Sequence, residues 1–149
     1  RHIEVLPWAD EEMVLACPPG HPLSVSKSID VSKLAGVNFV GFDKGLTIRK
    51  EIDKFFRGRE IGVNILSEFD NIETIKQALD ISDAVSILPR SGIEREVERG
   101  IITEVHLDNF DLVRPVGLIY RSRRDLSATA GEFMRFLMTS GSARGRPRV

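Results

Sequence analysis

Cysteine is nearly absent from this sequence: Cys17 is the only one in 149 residues. A disulfide within the chain is therefore excluded. Charge of one sign is also missing. Lys plus Arg is 21 and Asp plus Glu is 22, a formal net of −1 with histidine neutral. That balance supplies no global drive toward nucleic acid. No apolar run approaches the roughly 18 residues that a membrane-spanning helix needs. No basic stretch leads into an apolar one at the start, so no signal peptide is visible. The glycine patterns of nucleotide sites, Gly-x-Gly-x-x-Gly and Gly-x-x-x-x-Gly-Lys-Ser/Thr, do not occur. Neither does the Gly-x-Ser-x-Gly nucleophile elbow.

The remaining candidates for chemistry are sparse. His2, His21 and His106 are far apart and fall in no ligand spacing, so no metal site and no cofactor are expected. Cys17 lies inside an apolar run and reads as a small core residue. Glu11 and Glu12 are neighbours, and in a strand they point to opposite faces, a poor pair for acid–base work. Nothing assembles a nucleophile, a base and an orienting group, so the expectation is a protein that is not an enzyme.

What is present is a globular composition. With 42% hydrophobic and 29% charged residues, the chain can bury one core. Met13 to Cys17 reads as a strand buried on both faces, broken at Pro18-Pro19-Gly20-His21-Pro22. Ile29 to Leu34 reads as a short helix capped by Asp30 and stopped by Gly36. Val37 to Phe42 predicts a strand and Asp43-Lys44-Gly45 a turn. Ile48, Ile52, Phe55 and Phe56 share one helical face, with Thr47 as N-cap. Ile61, Val63 and Ile65 alternate as a strand does. Ile72, Ile75, Ala78 and Leu79 stripe a second helix, for which Asp70 and Glu73 offer a variant capping box. Ala84 to Leu88 is a strand closed by Pro89, and Ser91 with Glu94 predicts a capped short helix. Strands over Ile101–Val105 and Val116–Tyr120 follow. A last helix, capped by Ser127, carries Ala130, Phe133, Met134 and Leu137 on its inner face. Strands alternating with helices over short connections predict an α/β fold with a mainly parallel sheet and flanking helices. The Gly-, Ser-, Pro- and Arg-rich tail from Ser140 to Val149 is expected to be disordered and basic.

The recurring device is a strand followed by a polar helix start, at Thr47, at Asp70-Asn71 and at Ser91. In open α/β sheets ligands bind beyond the carboxyl ends of strands, where helix N-termini present N–H groups to carboxylates or phosphates. Helix capping alone accounts for any one of these residues. Asp70 places a negative charge where an anion would sit, which Lys44 and Arg49 can offset. Arg49 is the better carboxylate holder of the two, because its planar fork gives two hydrogen bonds.

Met13-Val14-Leu15-Ala16-Cys17-Pro18-Pro19-Gly20-His21-Pro22-Leu23 resembles the strand and turn of the effector-binding domain of LysR-type transcriptional regulators. Asp70 to Ala78 followed by Ser86-Ile87-Leu88-Pro89 is similar to that family's central helix and next strand. Arg90 to Gly100, Pro115 to Arg121, Leu126-Ser127 and Phe133 to Leu137 continue the resemblance, which runs from about Glu11 to Leu137. It implies a periplasmic-binding-protein-like fold with two α/β lobes. The expected organisation is an effector-binding domain over 1–139, with a complete second lobe over about 11–113. A partial first lobe would lie over about 1–10 and 114–139. It further implies a cytoplasmic bacterial regulator, a dimer or tetramer, that binds a small-molecule effector in the inter-lobe cleft. DNA contact would come only from a helix-turn-helix that this chain lacks, and no membrane is involved. The chain has no initial Met, which suggests a fragment of a longer protein. The effector is expected to be a carboxylate or phosphate. The expected ligand contacts are Thr47, Asn71 and Ser82, with Arg49 next and the Ser82-Asp83-Ala84 segment at the same rim. A solute-binding receptor of a transport system, which shares the fold, is the alternative.

Overall fold

The computed structural model describes residues 3–122 and 126–140. The predicted tail over 141–149 and His2 lie outside the described residues. The chain divides into two compact units, Glu12–Leu112 and a smaller one formed by Arg1–Glu11 with Val113–Val149. The first strand, β1 (Glu4–Cys17), contributes to both.

In the larger unit β1 is the central strand. Its residues Met13 to Cys17 are all buried, because β5 (Ser86–Pro89) and β6 (Thr103–Asp108) pair with it antiparallel on either side. A continuous apolar run suits this place, since both faces and both edges are covered. Beyond β6 lies the short parallel strand β2 (Ser28–Asp30). On the other flank β3 (Asn38–Phe42) runs parallel to β4 (Asn64–Phe69). A parallel bridge between Phe39 and Val85 joins β3 to the chain entering β5. Val40 N donates to Val85 O, and Val85 N to Asn38 O, both at 2.9 Å. The sheet is thus mixed: its flanks are parallel, as the alternation of elements predicts, and β1 is antiparallel to both neighbours.

Helix α1 (Thr47–Gly58) buries Ile52 and Phe56, and α2 (Ile72–Asp80) buries Ile75 and Leu79. These pack with Leu15, Leu34, Phe39, Val40, Ile87 and Val105 into one core. Phe56 meets Phe39 edge to face at 6.0 Å between ring centroids, and Phe55 meets Phe110 at 4.6 Å. A short helix α3 (Glu94–Glu98) precedes β6. Gly100, at φ +70°, takes the left-handed conformation that ends it.

Several predicted boundaries move. Ile29–Leu34 splits into β2 and a 3-10 turn over Val31–Leu34, with Asp30 capping the turn through Ser32 N at 2.9 Å. The N-cap of α1 is Leu46 rather than Thr47, and that of α2 is Asn71 rather than Asp70. The N-cap of α3 is Ile93 rather than Ser91, which lies in a 3-10 turn over Arg90–Gly92.

In the smaller unit β7 (Val113–Tyr120) pairs with β1. Gly117 lies so close to that strand that an added Cβ would stand 3.1 Å from Leu6 O. Tyr120 OH donates to Glu4 Oε2 at 2.9 Å, and Arg114 pairs with Glu11. Helix α4 (Ala128–Ser140) starts with Ser127 Oγ accepting from Ala130 N, and Trp8 Nε1 donates to Leu137 O at 3.0 Å. Phe133, expected on the inner face of α4, is 61% exposed.

Leu15, fully buried in β1, should cost about 3 kcal/mol when cut to Ala. Ile119 in β7 is 72% exposed, and its truncation should change stability by less than about 0.5 kcal/mol. Urea unfolding of the two variants checks the contrast, and equal losses would contradict this account of the core.

Candidate ligand site at the carboxyl edge

Strands β3, β4 and β5 point the same way, so their carboxyl ends share one edge of the larger unit. Three turns leave that edge: residues 43–46 after β3, 70–71 after β4 and 90–92 after β5. The first two are tied together where Asp43 N donates to Phe69 O at 2.8 Å. Asp43 then folds its own turn, with Oδ1 accepting from Gly45 N at 2.7 Å and its carbonyl accepting from Leu46 N at 3.0 Å. The turns after β3 and β4 open the N-termini of α1 and α2 on this edge, where unsatisfied N–H groups and the helix dipole favour an anion.

Thr47 is the first residue of α1 and is exposed. No hydrogen bond to its hydroxyl occurs among the described residues, and the helix start has no side-chain cap. Its hydroxyl and the N–H groups of the first turn of α1 are therefore available together. Asn71 stands at the same edge, since Phe42 and Phe69 are in register. Its side chain already works within the protein. Oδ1 accepts from Thr74 N at 2.8 Å and Thr74 Oγ1 at 2.9 Å, while Nδ2 donates to Asp70 Oδ1 at 2.8 Å. A ligand would meet Asn71 as a cap that shapes the turn.

Ser82 is not brought to this rim. It follows α2, at the amino ends of the parallel strands, and its hydroxyl donates to Ala78 O at 2.7 Å. Its neighbour Asp83 accepts from Asn38 Nδ2, at the first residue of β3, and Asn38 accepts in turn from Asn64 at the first residue of β4. The expected rim of Thr47, Asn71 and Ser82 is thus split between opposite ends of the sheet. Strand direction is the reason: α2 carries the chain back along the sheet before β5 begins.

Arg49 corrects the sequence reading differently. Only 6% exposed, it turns inward from the first turn of α1. Nε donates to Asp53 Oδ1 at 2.8 Å, and Nη1 to Phe42 O at 2.5 Å and Glu68 Oε1 at 2.9 Å. Burial pulls its pKa down, but the hydrogen bonds and charges of Asp53 and Glu68 outweigh that and leave it above the ordinary value. Its fork clamps β3, β4 and α1 together instead of holding a carboxylate ligand. Gly41 leaves room for it, since a Cβ there would lie 3.2 Å from Nη1. Arg90, at the third turn, is likewise engaged, by Glu104 and Glu12. Sequence reasoning also passed over Lys76, a buried lysine on α2. Its spacing from Glu73 was visible, but its burial was not.

Cys17 is fully buried, and desolvation pushes its thiol up to about 12. The folded chain should therefore resist thiol reagents at neutral pH and react only on unfolding. The sign of the linkage is that the unfolded thiol ionises first, so Cys17 lowers stability as pH rises above about 8.5. Titration with a disulfide reagent, with and without denaturant, tests this. Replacing Arg49 with Met should cost about 2 kcal/mol or more, because Glu68 and Asp53 lose their partner. Thr47→Ala should leave stability within about 0.5 kcal/mol of the parent. Denaturant melts of the two variants separate clamp from free hydroxyl.

Residues 1–142 match the family model of the LysR substrate binding domain. The probable RuBisCO transcriptional regulator of Synechocystis sp. is 30% identical over 136 residues, covering 89% of this chain and 39% of that protein. The chain thus spans less than half the length of that relative. The solved regulatory domain of Synechocystis CcmR, in complex with 2-PG, superposes with a TM-score of 0.82 at 23% identity. That match covers 97% of this chain and 69% of that one. The effector-binding domain of QuiR, in complex with shikimate, gives 0.80 at 20% identity over 97% and 68%. At these identities the two structures speak for the fold, which is that of effector-binding domains.

Proposed function

The chain belongs to the LysR substrate binding domain family, and from that premise we propose that it senses a small-molecule effector for a DNA-binding transcriptional regulator. The effector is a small carboxylate or phosphate held at the carboxyl edge of β3, β4 and β5. The observation that carries this reading is the unpartnered Thr47 hydroxyl at the uncapped start of α1, beside the start of α2. Solved structures of the same fold were obtained with 2-PG and with shikimate, which supports a small-molecule ligand. The role is binding, with no chemistry performed on the ligand. Binding biases the arrangement of a dimer or tetramer, and DNA is contacted by a segment outside this chain. Coupling of this kind is typically worth about 1–3 kcal/mol, the difference in affinity between the two arrangements. The protein works in the cytoplasm. Relatives named as transcriptional regulators favour this reading over a transport receptor.

Among the described residues no helix is long and apolar enough to cross a membrane, and no cluster of His, Cys, Asp or Glu suits a metal ion. The test is a melting-temperature screen with 2-PG, shikimate and other small carboxylates and sugar phosphates, run on the longest available form of the protein. A ligand at about a hundredfold over its Kd should add roughly 2.7 kcal/mol. Thr47→Val should keep the unliganded melting temperature and lose most of that gain. A full gain in the Thr47→Val variant would remove Thr47 from the site, and no gain with any compound would sink the effector reading.

A further inference from the structure

Resting on the carboxyl-edge reading above, we infer that Lys76 is a positioning residue for the ligand site, holding the turn after β5 against the N-terminus of α2. Lys76 lies one turn into α2, and its side chain is 9% exposed. Its ammonium has three donors, and three acceptors surround it. Glu73 Oε1 and Glu96 Oε1 each lie at 2.8 Å, and Gly92 O accepts at 3.1 Å. The two carboxylates more than offset its single positive charge. The Gly92 carbonyl belongs to the 90–92 turn, and this bond ties α2 to that turn's backbone.

The packing around Gly92 makes the bond positional. A Cβ on Gly92 would stand 3.4 Å from Ile72 Cγ2 and 3.6 Å from Pro89 Cγ. The turn therefore rests directly on the first residue of α2, next to Asn71. On its other side, Arg90 fastens the same turn to Glu104 of β6 and Glu12 of β1. The turn is held from two directions, by Arg90 toward the sheet and by Lys76 toward α2. A methionine at 76 would keep the bulk of the stem but offer Gly92 O no donor. The turn would then drift from the start of α2, and a ligand spanning the two would lose one of its walls. A carboxylate change at 96 leaves the Gly92 bond in place, so the two variants separate the ion pair from the positioning role.

The experiment uses the 149-residue chain with Lys76→Met, Lys76→Arg and Glu96→Gln, read by amide NMR and titrated with inorganic phosphate. In Lys76→Met the amides of Ser91, Gly92 and Ile93 should shift, and their exchange should quicken by about tenfold beyond any global loss of stability. Lys76→Arg should restore them, and Glu96→Gln should lower stability while leaving them in place. Phosphate should shift Thr47 and Ser91 in the parent and bind Lys76→Met at least about fivefold more weakly, a coupling near 1 kcal/mol. Unmoved amides over 91–93 in Lys76→Met, or an equal disturbance in Glu96→Gln, overturn the positioning role whatever phosphate does. A parent chain in which phosphate moves neither Thr47 nor Ser91 overturns the carboxyl-edge reading on which the inference rests, and that result is scored without reference to the variants.

Discussion

The larger unit depends on one constraint: the last five residues of β1 are buried on both faces and hydrogen-bonded toward both neighbours. Met13 to Ala16 pair with Ser86 to Pro89, and Leu15 to Cys17 pair with Thr103 to Val105. An unpaired backbone group in such a place costs about as much as a lost hydrogen bond with its full desolvation. Register across β1 is therefore fixed, and with it the level at which β5 ends. Because β3 bridges to Val85 at the start of β5, the same constraint sets where β3 and β4 end. The carboxyl edge, and so the candidate site, inherits its position from β1.

On that scaffold two of the basic residues near the edge face inward, while Lys44 in the 43–46 turn stays exposed, 3.9 Å from Glu68. Arg49 and Lys76 are buried, and each is matched by two carboxylates and one backbone carbonyl. Arg90 is matched by Glu104 and Glu12. A charge removed from water needs such partners, and once they are in place it has little left for a ligand. What the edge offers is backbone N–H groups, the Thr47 hydroxyl, the exposed Lys44 ammonium and helix dipoles, with Asp43 and Asp70 close by. Recognition through fixed N–H groups favours a small ligand whose shape matches the turns. That makes the placing of each turn as important as its composition, and it explains why two buried cations tie turns and helices together.

Much of the fold was legible in the chain. Short apolar runs marked β1, β3 and β5, the spacing of Ile52 and Phe56 marked α1, and Ile75 and Leu79 marked α2. These signals are local, since burial of one face imposes its period on the sequence. Caps were legible only to within one or two residues. Thr47, Asp70 and Ser91 are good capping types, but Leu46 and Asn71 took the cap positions of α1 and α2. The candidate site was half legible. Thr47 and Asn71 follow strands and could be placed at an edge, whereas Ser82 was assigned to the wrong end of the sheet. Arg49 read as solvent-facing or ligand-holding because its partner Glu68 lies 19 residues away and on another strand.

The sequence by itself determined the class of the molecule: an α/β chain whose single cysteine excludes a disulfide within it, with ordered motifs that resemble those of an effector-binding domain. The class follows from composition and local period and the motifs from their resemblance to a family, and neither needs knowledge of which strand lies beside which. The tertiary structure alone decided which polar groups face the carboxyl edge and which are spent inside. That depends on strand direction and on pairings between residues far apart in the chain, such as Arg49 with Glu68 and Lys76 with Gly92. A side chain's chemistry is written at its position, but its availability is set by whatever folding brings against it.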